Sequence, residues 1–319
     1  MNRAAEFFRF WFIQVSRGYT LPMSITNWLV VFSLAFFDGG NWLYGILALI
    51  GFAAAHMGTN VFDDFIDHLK GVPKQKCKTA HIDSGQTTLK AIFALAILYF
   101  SAALFIGLFL FVKCGLMVLI LAAIGGIIAV LYPFLNKYAL GELAVGATFG
   151  PLLFAGVYYV MVGRISEQAL LISVPVAIFT VAVLMVHSLM DYDFDKVNGK
   201  KTLCVLAGSK IAALYMIFAL IVLAFAITLW LIGGGYLPVM AACTLGLFLI
   251  VIALYKKLGI YISEENHPQN AFLDNFSLIR NLGTLYCVFI VFSLYLNWYI
   301  DTEKEKFIEN TNSYELIIK

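Results

Sequence analysis

Two short acidic stretches hold most of the residues in this chain that could do chemistry. The first reads Asn60-Val-Phe-Asp63-Asp64-Phe-Ile-Asp67-His-Leu-Lys70-Gly71. The second reads Asp191-Tyr-Asp193-Phe-Asp195-Lys196-Val-Asn-Gly199-Lys200-Lys201-Thr202-Leu203. Together they contain 6 of the 19 Asp and Glu residues, each at the end of a long apolar run. Read as a helix, the first stretch puts Asn60, Asp64 and Asp67 on one face at i, i+4 and i+7, with Asp63 one turn before Asp67. In the second, Asp191 and Asp195 are one turn apart and His187 lies one turn earlier. Carboxylates at this spacing repel one another unless a cation lies between them. Mg²⁺ takes oxygen ligands and binds through one or two carboxylates plus substrate phosphates; Mn²⁺ would suit the same donors. Asp64, Asp67, Asp191 and Asp195, with Asp63, are therefore the candidate metal ligands. Lys70, Lys200 and Lys201 follow the clusters and would neutralise the remaining charge of a diphosphate.

A metal-bound diphosphate beside an apolar cavity points to an allylic substrate. Diphosphate leaves readily once its charge is neutralised, so metal and lysines would assist C–O cleavage. The allylic cation must then be kept from water and met by an electron-rich partner. Aromatic rings can face such a cation, and Tyr132, Phe149, Tyr158 and Tyr159 are candidates.

The elements that position these residues are membrane helices. The chain has 319 residues, 62% hydrophobic and 13% charged, against about 25% charged for a soluble domain. Residues 18–37, 39–62, 91–112, 114–136, 143–163, 168–190 and 281–300 contain no Asp, Glu, Lys or Arg. Each is about as long as a hydrocarbon core requires. Residues 211–255 are also free of charge, and Gly233-Gly234-Gly235-Tyr236-Leu237-Pro238 divides them into two spans. The runs are continuous rather than alternating, which excludes a β-barrel. The expected fold is all-α and integral to the membrane, with nine transmembrane helices in one domain over 1–319. Residues 1–17 read as an aromatic, mildly basic interfacial segment rather than a cleavable signal, and 302–319 as a polar, frayed tail.

With nine spans, 16 of the 21 Lys and Arg residues fall on the side of the amino terminus. By the positive-inside rule that side is cytoplasmic, and both acidic loops face it. The five cysteines, Cys77, Cys114, Cys204, Cys243 and Cys287, show no paired spacing and read as small apolar residues. His56 and His187 read as packing or hydrogen-bonding residues, and Gly125-Gly126 as a place for close helix packing. A transporter would hold its carboxylates near the bilayer midplane; these lie at one edge beside lysine-rich loops.

These motifs resemble those of the UbiA superfamily of intramembrane aromatic prenyltransferases. Asn60, Asp64 and Asp67 match the first motif; Asp191, Asp195, Gly199, Lys200, Thr202 and Leu203 match the second. The branch most similar is the 1,4-dihydroxy-2-naphthoate polyprenyltransferases of menaquinone synthesis. Three stretches carry that likeness: Ser16-Arg17-Gly-Tyr-Thr20-Leu21-Pro22, then Ser84-Gly85, then Leu140-Gly141-Glu142-Leu143 through Phe149-Gly150-Pro151-Leu152 to Tyr158-Tyr159-Val160. The likeness runs from about Arg17 to the end of the seventh span. It implies a helical bundle around a central cavity capped by two polar loops. Asp64, Asp67, Asp191 and Asp195 would bridge through Mg²⁺ to the diphosphate, with Asn60, Arg17, Lys70, Lys200, Lys201 and Tyr132 contacting substrates. The expected partners are a polyprenyl diphosphate, an aromatic acceptor that loses its carboxylate, and the lipid bilayer, with no nucleic acid.

The departures bear on the acceptor more than on the metal. Asp63 stands where the branch usually has Asn, and Pro73 where a further acid is common. His187-Ser188-Leu189-Met190 precede Asp191 in place of Asn-Asn-x-Arg. The missing arginine removes a diphosphate or acceptor contact that Lys201 or Arg17 would have to cover. The related alternative is a prenyltransferase of the same superfamily with another acceptor, such as a hydroxybenzoate. Asp63-Asp64-Phe-Ile-Asp67 also matches the Asp-Asp-x-x-Asp of soluble isoprenyl diphosphate synthases, whose folds nine spans exclude.

Overall fold

The computed structural model describes residues 3–71, 85–135, 137–264 and 271–318. Pro73, Lys74, Lys76, Cys77, Lys78, Ser84 and Lys319 lie outside them. Among the described residues nine helices are long and apolar enough to cross a membrane. They are α1 (Gly18–Phe37), α2 (Trp42–Leu69), α3 (Leu89–Cys114), α4 (Leu116–Leu135), α5 (Gly141–Val162), α6 (Glu167–Met190), α7 (Lys210–Gly233), α8 (Val239–Ser263) and α9 (Asp274–Ile308).

Local chemistry sets the helix ends. Asn41, Thr88, Ser166 and Ser209 cap α2, α3, α6 and α7, each side-chain oxygen accepting from a first-turn N–H. The α4 carboxyl end is capped from another helix: Lys70 Nζ donates to Pro133 O at 3.0 Å and lies over the Phe134 ring. A cation at that end also offsets the helix dipole. The last helix continues to Ile318.

The core runs through α6, of whose span 67% is buried, flanked by α7, α1 and α9. By contrast α3 and α4 are 11% buried and present their apolar side chains outward, as helices facing lipid do. α5 meets α6 through glycines. A Cβ on Gly146 would lie 2.6 Å from Val181 Cγ2, and one on Gly150 would lie 2.5 Å from Ala177 Cβ and 3.0 Å from Ser173 O. Small residues four apart let helix backbones approach in a membrane. At the same place the backbone breaks step at Gly150, before Pro151. The buried Asn27 of α1 donates to Phe149 O at 3.2 Å and to Thr180 Oγ1 at 3.0 Å, tying α1 to α5 and α6.

The amino-terminal segment packs against the bundle. It is helical over Arg3–Phe8 and Arg9–Val15. Val15 packs with Val61, Ile92 and Ala96, and Phe10 and Trp11 lie against them. Ser16 Oγ also hydrogen-bonds Tyr99 Oη at 2.9 Å. The segment is thereby fastened to α2 and α3 and delivers Arg17 to the bundle interior.

Candidate active site

α1 to α6 enclose a cavity of about 1020 Å³ whose walls are mostly apolar. The two acidic stretches meet there. α2 contributes His56, Asn60, Asp63 and Asp67, a stripe along one helical face. The end of α6 and the segment after it contribute His187, Ser188, Asp191, Phe194, Asp195, Lys200 and Thr202. Asp63, Asp67, Asp191 and Asp195 are all buried.

Local structure explains how a loop lysine returns to another helix. α6 ends at Asp191, and a short helix over Tyr192–Val197 carries Asp195 one turn on, with Asp195 N–H donating to Asp191 O. Gly199 has φ 70°, the left-handed conformation that glycine adopts without cost. The chain reverses there, and Lys200 N–H donates back to Asp195 O at 2.9 Å. Lys200 Nζ then reaches Asp67 Oδ2 of α2 at 3.0 Å, joining the two acidic stretches. Burial alone would lower the Lys200 pKa, but Asp63, Asp67 and Asp195 reverse that and hold it above its usual value.

Arg17 occupies the other flank. It is one of two non-glycine residues with positive φ among those described, at φ 53° and ψ 41°. Its Nη2 lies 2.5 Å from Asp64 Oδ1 and 3.7 Å from Asp63 Oδ2. Burial opposes the charge; Asp64 and Asp63 outweigh it and raise the guanidinium pKa. Behind it, Asn60 Nδ2 donates to Ser16 O at 3.4 Å, and His56 bonds Ser24 at 2.7 Å and Thr20 at 3.3 Å. His187 Nδ1 stands 3.5 Å from Asp191 Oδ2.

The cavity lining gathers Arg17, Asn60, Asp63, Asp67, Tyr132, Asp191, Asp195 and Lys200. Three other candidates lie elsewhere. Asp64 sits beside the lining rather than in it, because it is about 100° around the helix from Asp63 and turns to Arg17. Lys70 is engaged at the end of α4. Lys201 is exposed and outside the lining, since adjacent side chains of this extended segment point apart. Among the aromatic candidates, Phe149 lines the cavity, whereas Tyr158 and Tyr159 do not. The Tyr158 hydroxyl is claimed by Asp38, with Arg164 alongside. Gly125 and Gly126 line the cavity too, and a Cβ on Gly126 would meet open space, so that glycine does not serve helix packing.

Among the described residues no three His, Cys, Asp or Glu side chains form a ready-made metal cage; Arg17 and Lys200 stand among the acids instead. The donor set still suits a hard divalent cation arriving with a diphosphate. It offers carboxylate oxygens, and Asp63 Oδ1 is buried without a hydrogen-bond partner among the described residues. Glu142, which carried no role in the motifs, also lines the cavity. In the sequence it looks like an ordinary acid in the first turn of a helix.

Known proteins identify the family and share the fold. The sequence pattern of the UbiA prenyltransferase family matches residues 24–279. The 1,4-dihydroxy-2-naphthoate octaprenyltransferase of Bacillus subtilis is 26% identical over 252 residues, 76% of this chain and 78% of that one. A 4-hydroxybenzoate octaprenyltransferase of Francisella tularensis is 26% identical over 249 residues, 75% and 84% of the two chains. A UbiA homologue from Archaeoglobus fulgidus, solved with geranyl diphosphate and Mg²⁺, superposes with a TM-score of 0.56 at 14% identity, covering 88% of this chain and 99% of that one. This protein, an integral, multi-pass membrane enzyme, belongs to the UbiA prenyltransferase family.

Proposed function

We propose that the protein transfers a polyprenyl group from its diphosphate to 1,4-dihydroxy-2-naphthoate, with loss of the acceptor's carboxylate, at a site open to the cytoplasm. One observation carries the reading. A single cavity has four buried aspartates, Arg17 and Lys200 in its wall and an apolar lining beyond them. That is the division a molecule with a charged head and a hydrocarbon tail requires. Similarity to the Bacillus enzyme supports this acceptor. The cytoplasmic orientation follows from the distribution of Lys and Arg.

Asp63, Asp67, Asp191 and Asp195 would hold Mg²⁺, with Asp64 behind them bracing Arg17. The metal, when bound, supplies positive charge to the diphosphate and favours its departure. Lys200 stays protonated among its carboxylates and meets the remaining negative charge. Arg17 orients a phosphate oxygen from the opposite flank. The walls keep water from the allylic carbon while the acceptor approaches.

The test is turnover of purified protein with geranylgeranyl diphosphate, Mg²⁺ and dihydroxynaphthoate, followed by mass spectrometry. The expected product is the decarboxylated prenyl adduct, absent when a chelator is added. Asp67→Asn and Asp191→Asn should each lower the rate about a hundredfold or more, the scale of losing one preorganised electrostatic contact. Hydrolysed diphosphate without adduct would refute the acceptor. Unchanged turnover in both variants would refute the site.

A further inference from the structure

The cavity wall holds one carboxylate that belongs to neither acidic stretch. Glu142, in the first turn of α5, is only 2% exposed. Its Oε1 accepts from Ser188 Oγ at 3.1 Å and from Leu203 N–H at 3.1 Å. Ser188 lies three residues before Asp191, and Leu203 lies three after Lys200. The carboxylate is therefore clamped between the two halves of the second motif. Its other oxygen, Oε2, is buried with no hydrogen-bond partner among the described residues.

We propose that Glu142 binds the aromatic acceptor, with Oε2 taking a hydrogen bond from an acceptor hydroxyl. The inference rests on the reading of a hydroxylated aromatic acceptor. The structural tie uses only one oxygen, and a glutamine carbonyl would serve it as well. A buried acceptor left unpaired is costly, and a ligand hydroxyl would satisfy it. The placement also suits the chemistry. A hydroxyl donating to a carboxylate pushes electron density into its ring, at the carbon that must meet the allylic cation. The GxxxG-like contact of Gly146 and Gly150 with α6 sets the helix spacing that brings Glu142 to Ser188. The acidic stretches then handle the diphosphate, and Glu142 reads the other substrate.

The experiment compares ligands that differ by one hydroxyl. Purified protein is titrated calorimetrically with 1,4-dihydroxy-2-naphthoate and its two monohydroxy analogues, 1-hydroxy- and 4-hydroxy-2-naphthoate. Wild-type protein should bind one analogue about tenfold or more weakly than the parent, the scale of a hydrogen bond to a charged group. Glu142→Gln keeps an oxygen for Ser188 and Leu203 but replaces Oε2 with a donor. It should erase that discrimination while leaving affinity for geranylgeranyl diphosphate within about twofold, a change too small to mark a lost contact. Equal binding of all three ligands to wild-type protein would overturn the proposal, even if the variant failed to fold. So would a variant that keeps the wild-type preference, or one that loses diphosphate affinity alone. If the protein binds 4-hydroxybenzoate instead, the dihydroxynaphthoate reading fails, and Glu142 is judged on hydroxybenzoate against benzoate. Binding of no hydroxyarene would end both readings.

Discussion

Arg17 concentrates the physical tension of the site. It is held in left-handed backbone, a conformation that costs an ordinary side chain about 1–3 kcal/mol. In return, Nη2 alone faces both Asp63 and Asp64, and the planar fork carries further N–H donors on its other nitrogens, which a lysine lacks. Without substrate it offsets part of the acidic charge; with substrate the same donors can face a phosphate. Arg17→Lys should therefore keep the fold but raise the KM for the prenyl diphosphate about tenfold, the loss of a bidentate charge-assisted contact. Steady-state kinetics at saturating acceptor measures this, and an unchanged KM would remove Arg17 from diphosphate binding. The sequence marks Arg17 as a basic residue beside a conspicuous Thr-Leu-Pro. Its backbone conformation is not legible there, because it depends on the packing of Val15 and Ser16 against α2 and α3. Glu142 is illegible for a similar reason: its burial and its two donors come from residues 46 and 61 positions away.

The helices themselves were easy to read. Continuous apolar runs bounded by charges located nine spans, and the glycine-rich break near 233–238 separates α7 from α8. Which helices touch was not legible. A glycine in an apolar run looks the same whether it faces a neighbour, as Gly146 and Gly150 do, or open cavity, as Gly126 does. Hydropathy records lipid or protein surroundings alike, so only the assembled bundle distinguishes them. Gly150→Leu tests the contact. Its side chain would have to displace Ala177 and the Ser173 carbonyl, and overpacking of this kind costs about 1–3 kcal/mol or more. Thermal unfolding in detergent should show a clear fall in the midpoint, together with loss of activity as Glu142 and Ser188 separate. Gly126→Leu should leave the midpoint near that of the parent while filling part of the cavity. Equal midpoints for the two variants would show that the α5–α6 approach does not depend on Gly150.

Across the whole molecule, the topology explains why two distant motifs form one site. α2 and α6 are both even-numbered in a bundle of alternating spans, so their acidic ends emerge at the same membrane face. Four intervening crossings leave that parity unchanged, and Lys200 closes the gap to Asp67. At the opposite face, the ends of α1 and α5 are joined by Asp38, Tyr158 and Arg164. That cluster fastens the two helices at this face and claims the tyrosine that the sequence had offered to the cation. The parity argument fixes the two faces relative to each other; the proposal that the acidic face is cytoplasmic rests on the charge distribution. Lys201, exposed beside the site, and Lys113, exposed at the far end of α3, sit on opposite faces. In a background with the five native cysteines replaced by serine, Lys201→Cys should therefore react with a membrane-impermeant maleimide in inverted vesicles and be protected in intact spheroplasts. Lys113→Cys should do the reverse. The opposite pattern would turn the site outward, and labelling of both from one side would break the parity on which the joining of the two motifs depends.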